Sequence, residues 1–171
     1  MQRRIRERRI AGRRIRIGRA ALGLTIAAAA VALAPSTAAQ ADPGAVYFST
    51  GGGTNCVLHD NGSFACGFGH TYNPPTVTMK IAGADIPVPF GVGQVSYDRS
   101  FLGTHPAFGP ASDYTLPGGN PDMSTVATSQ STWGPIVEYG GTKCEAGFHG
   151  SFSCTSQSHS FSTWMYNLSM G

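Results

Sequence analysis

Hydrophobic and polar positions alternate with a period of two in short runs along most of this chain. The clearest run is Thr76-Val77-Thr78-Met79-Lys80-Ile81, with Val77, Met79 and Ile81 on one side and Thr76, Thr78 and Lys80 on the other. That period predicts a strand with one buried face. Ile86-Pro87-Val88-Pro89-Phe90 alternates too, but its prolines cannot donate to a ladder, so it reads as an edge strand or a polyproline-like segment. Val92–Tyr97 reads as another short strand. Residues 160–168 read as one closing strand, with Phe161, Thr163 and Met165 opposed to Trp164, Tyr166 and Leu168. Between residues 100 and 134 the alternation is lost. Pro106, Pro110, Pro117, Pro121 and Gly118-Gly119 interrupt it and leave room for little more than one strand near residues 124–128.

Two segments solve one geometric problem. Gly52-Gly53-Thr54-Asn55-Cys56 through Gly62-Ser63-Phe64-Ala65-Cys66 matches Gly140-Gly141-Thr142-Lys143-Cys144 through Gly150-Ser151-Phe152-Ser153-Cys154, shifted by 88, at eight of fifteen positions. In the first segment Asp60-Asn61-Gly62 is a turn signal. A three-residue hairpin loop needs its last residue in the left-handed region, which glycine enters without steric cost. With that loop His59 faces Ser63, Val57 faces Ala65 and Cys56 faces Cys66. The second segment repeats this about His149 and Gly150, with Cys144 opposite Cys154. Directly opposed positions bring two β-carbons to disulfide distance, so of the three possible connectivities this geometry favours Cys56–Cys66 and Cys144–Cys154.

Composition points the same way. After residue 41 the chain has 130 residues, enough for one core, with twenty glycines, twenty-eight serines and threonines and only eleven charged side chains. Good helix formers are scarce, and β-branched and aromatic residues fall in short runs between turns. The expected class is all-β: a small antiparallel sandwich or barrel with two disulfide-stapled hairpins.

The N-terminus changes the reading of charge. Nine arginines and one acid, Glu7, occupy the first nineteen residues, an apolar run covers 20–34, and Pro35 precedes Ser36-Thr37-Ala38-Ala39-Gln40-Ala41. This is the pattern of a signal peptide over residues 1–41, with Ala39 and Ala41 as the small residues before the cut. The apolar run, fifteen residues and mostly alanine, is shorter than the roughly twenty needed to span a bilayer, so no membrane span is expected after cleavage. The leader carries +8 and the remainder, residues 42–171, −5, with Lys80, Arg99 and Lys143 as its only bases. Three scattered bases neutralise few phosphates, which argues against nucleic acid as a partner. All four cysteines follow the predicted cut, so disulfides in a secreted or envelope compartment are expected. Their ten-residue spacing does not fit zinc.

No catalytic motif emerges. His59, His70, His105, His149 and His159 form no metal-binding pair, and His59-Asp60 and His149 fall at expected loop tips. There is no Gly-x-Ser-x-Gly elbow, and Gly51-Gly52-Gly53 opens no phosphate loop. No catalytic, metal or cofactor site is therefore assigned. The long loop region carries Phe101, Phe108, Tyr114 and Trp133, the first candidates for a binding surface, or alternatively anchors that pin the loops to the core.

Val46-Tyr47-Phe48-Ser49-Thr50, Gly53-Thr54-Asn55-Cys56, Ser63-Phe64-Ala65-Cys66 and the C-terminal His159-Ser160-Phe161 resemble small exported two-disulfide proteins of mycobacteria and related actinobacteria. The resemblance implies export and disulfides, and carries over no active site. The expectation is a secreted or envelope-associated binding or structural module, whose partner is an envelope component or another secreted protein. A small secreted hydrolase and a secreted protease inhibitor are the alternatives.

Overall fold

A computed structural model describes residues 42–98 and 100–171; the expected signal peptide over 1–41 and Arg99 lie outside the described residues. In chain order the strands are β1 (Ala45–Ser49), β2 (Asn55–His59), β3 (Phe64–Tyr72), β4 (Val77–Ile81), β5 (Ala84–Pro87), β6 (Val92–Tyr97) and β7 (His105–Pro106). They continue with β8 (Ser129–Gln130), β9 (Pro135–Tyr139), β10 (Thr142–Ala146), β11 (Phe152–Ser156), β12 (His159–Trp164) and β13 (Asn167–Met170). One sheet has five strands in the order β1-β2-β3-β6-β7, and the other has eight in the order β5-β4-β13-β12-β11-β10-β9-β8. Every pairing within the sheets is antiparallel except β13 with β4, which is parallel. No helix among the described residues is long and apolar enough to cross a membrane.

The sheets face each other across one core, which makes the fold a β-sandwich. Phe48, Leu58, Phe64 and Val95 from the first sheet meet Val137, Phe152, Phe161 and Leu168 from the second. Ring contacts cross the gap, Phe48 to Phe152 at 6.1 Å and Phe64 to Phe161 at 5.7 Å. Both disulfides form as the hairpin geometry requires. Cys56 pairs with Cys66 and Cys144 with Cys154, each between directly opposed strand residues. All four cysteines are fully buried, and the sulfurs of Cys56, Cys66 and Cys154 lie within 4.8 Å of one another, so the two staples meet at the centre of the sandwich. Two such disulfides are the mark of an oxidising, extracytoplasmic environment.

The first hairpin turns as expected: the His59 amide donates to the Ser63 carbonyl at 2.9 Å, and Gly62 has a φ of 83°. Its tip docks on the other sheet. The Gly62 carbonyl accepts from the hydroxyls of Thr142 at 2.8 Å and Ser156 at 2.7 Å. A side chain on Gly140 would overlap the His59 carbonyl, so glycine is required for that approach.

Two expectations need correction. Residues 160–168 do not form one strand: β12 ends at Trp164, Met165 and Tyr166 make a two-residue turn with Met165 at φ 52°, and β13 returns antiparallel. Alternation ran on through the turn because Met165 and Tyr166 stand where a turn usually has glycine or asparagine. Residues 124–128 are not a strand either. The Asp122 carboxylate accepts from the amide and hydroxyl of Ser124, which starts a 3-10 turn over Met123–Thr125. Buried Met123 fixes that turn in the core, and the strand, β8, begins only at Ser129.

Candidate functional site

The outer faces of the two sheets differ. Over the first, part of the proline-rich segment folds down as a cover. The Tyr114 ring occupies the space a side chain at Gly67 would need, and Gln94 donates to the Gly109 carbonyl at 2.9 Å. Asn120 ties the cover down, donating to the carbonyls of Phe48 at 3.0 Å and Tyr114 at 2.9 Å while accepting from the Leu116 amide at 2.8 Å.

The outer face of the eight-stranded sheet is open among the described residues, and it is rich in hydroxyls. Register lines up Glu145, Ser153, Ser162, Ser169 and Thr78 side by side on five successive strands. At the strand spacing of about 4.8 Å that row runs about 19 Å. Its positions are all exposed or half-buried. At one end, next to the tip of the β10–β11 hairpin, a depression of about 410 Å³ is lined by Glu145, Phe148, Ser153, Ser162 and Trp164. Trp133 leans edge-on against Phe148, with ring centres 4.8 Å apart. These three aromatic residues are 60% (Trp133), 53% (Phe148) and 55% (Trp164) exposed. Glu145 forms an ion pair with Lys143 at 3.2 Å; both are half exposed, so the pair adds little stability, and exposed Glu138 lies opposite Lys143 on β9.

On the other side of the same hairpin tip lies a cleft of about 330 Å³, bordered by Thr54, His70, Tyr72, His149, Gly150 and Met165 among others. The 88-residue repeat explains its position. Gly150 and Thr54 correspond to Gly62 and Thr142, which meet in the first hairpin's docked tip. At the place of Ser156 the chain has Phe68, whose ring packs on Tyr72 and Phe161. The second tip therefore has no hydroxyl counterpart there, and a cleft remains. Burial raises the Tyr72 phenol above its ordinary value, and a hydrogen bond with the Thr163 side chain offsets part of that rise. His149 (φ 53°) and Met165 (φ 52°), two of four non-glycine residues with positive φ among the described residues, both border this cleft. Strained backbone of this kind concentrates at functional sites.

The four aromatic residues singled out from the sequence go to different places. Tyr114 belongs to the cover on the first sheet. Phe101 is exposed beside Ile81 and Leu102 in a separate depression, and Phe108 is exposed against Phe90, ring centres 5.8 Å apart. Trp133 alone joins the open face of the larger sheet, through Phe148. No ring contact among the described residues joins two of the four. Sequence reasoning did not single out Glu145, Phe148, Ser153, Ser162 and Trp164. The signal for them was a strand repeat with serine or threonine on its polar side and aromatic residues at its ends.

His105 hydrogen-bonds Asp98 at 3.1 Å, but its other ring nitrogen sits 3.0 Å from the Pro106 carbonyl, which leaves none to activate a serine. The one group of three metal-type ligands among the described residues is Cys56, Cys66 and Cys154, whose sulfurs are all held in disulfides. Compared with protein-family models, with curated proteins and with solved structures, the chain matches none of them.

Proposed function

We propose that residues 42–171 form an exported binding module, secreted or held at the cell envelope, which uses the open outer face of its larger sheet at the tip of the β10–β11 hairpin. The observation that carries this reading is the difference between the two outer faces: one is covered by its own chain, while the other keeps Trp133, Phe148 and Trp164 exposed around a polar floor. Aromatic residues left in water beside a depression are the usual composition of a recognition surface. The disulfides and the leader-like N-terminus support the extracytoplasmic setting.

The test is co-sedimentation of the purified protein with the insoluble envelope fraction of the cells that produce it. The protein is expected in the pellet, and Trp164→Ala combined with Phe148→Ala is expected to leave it in the supernatant with unchanged near-UV circular dichroism. Sedimentation equal in both forms, or in neither, would overturn the reading.

A further inference from the structure

We propose that this face binds a neutral glycan, a ligand class that rests on the site reading above. Three features of the surface select it. First, Trp164 and Phe148 border a floor made of Glu145, Ser153 and Ser162. A pyranose ring has an apolar C–H face suited to an aromatic ring and an equatorial rim of hydroxyls suited to serine and carboxylate partners. Apolar walls with a few placed polar groups are what such a ligand needs.

Second, the surface extends in one direction. The hydroxyl row from Glu145 to Thr78 continues from the depression across five strands, so a linear chain of sugars has a polar track beyond the first stacked ring. An apolar peptide would instead desolvate that row without satisfying it. Third, charge argues against an anionic ligand. Among the described residues Glu145 is the one ionisable side chain lining the depression; Lys143, its ion-pair partner, faces Glu138 on β9, and His149 lies against Phe148, so a phosphate or polyanion finds no cluster of bases.

The chain has two tryptophans, and both belong to this surface. Their emission is therefore a direct probe. Wild-type protein is titrated with five soluble neutral hexasaccharides: cellohexaose, maltohexaose, laminarihexaose, mannohexaose and chitohexaose. At least one is expected to give a saturable change in tryptophan emission. By calorimetry, Trp164→Ala is expected to weaken that binding at least tenfold, Trp164→Phe to restore most of it, and Glu145→Gln to weaken it several-fold.

No response to any of the five, with envelope sedimentation still dependent on Trp164 and Phe148, would overturn the glycan assignment and leave the site. No response together with loss of that dependence would overturn both. Binding undiminished in Trp164→Ala would place the sugar elsewhere and also overturn the proposal.

Discussion

The side-chain amide of Asn120 donates to the Phe48 carbonyl at 3.0 Å, across 72 residues of chain. This contact holds the irregular segment on the first sheet, whereas among the described residues the outer face of the second stays open. Asn120→Ala would strip partners from the Phe48 and Tyr114 carbonyls and the Leu116 amide at once. The expected loss is about 2–3 kcal/mol, read as a lower denaturation midpoint, together with faster hydrogen exchange at residues 114–121.

The docked hairpin tip makes a second, non-additive prediction. Thr142 and Ser156 share one acceptor, the Gly62 carbonyl. Thr142→Val or Ser156→Ala leaves that carbonyl one donor, and each is expected to cost about 1 kcal/mol. Removing both leaves it buried without a partner, so the double variant should lose more than the sum. Urea unfolding of the four forms measures the coupling directly.

Each staple closes a loop of ten residues' separation, so replacing either cysteine pair by alanine should cost about 3 kcal/mol on the chain-entropy estimate. All four cysteines are fully buried. Dithiothreitol should therefore leave both bonds intact under native conditions and reduce them only after denaturant is added, as mass spectrometry of alkylated protein would record. A peptide linking the first hairpin to the second in the unreduced protein would contradict the pairing.

Much of this was legible in the residues because hairpin geometry is local. Glycine at the end of a three-residue loop fixes which residues oppose each other, and the cysteine pairings follow from that count. Val77 in β4 and the Val92–Tyr97 strand were readable from alternation because each strand, in its own sheet, turns one face to the core. Position 166 was not: Trp164-Met165-Tyr166-Asn167 turns without glycine or proline, held by the pairing of β12 with β13. The parallel contact between β4 and β13, about ninety residues apart, leaves no local mark either. The site shares that property. Glu145, Ser153 and Ser162 lie on three strands, and only the register places them in a row.

Tyr72 gives a pH dependence with a definite sign. Burial, the larger effect, raises its phenol above the ordinary value of 10.0, while the hydrogen bond with Thr163 lowers it by less. The folded state thus holds this proton more tightly than the unfolded chain does. Its contribution is complete below about pH 10 and is lost as pH rises from there through the raised value. Thermal stability should fall more steeply above pH 10 in the wild type than in Tyr72→Phe, and differential absorbance at alkaline pH should show one late-titrating phenol missing from that variant.

The proposed binding face can be observed residue by residue in an NMR titration of 15N-labelled residues 42–171 with envelope polysaccharide solubilised from the producing cells. Both indole N–H signals, of Trp133 and Trp164, are expected to shift together with amides of Glu145, Phe148, Ser153 and Ser162. Shifts confined to Phe90, Phe101 and Phe108, or no shifts at all, would contradict that expectation.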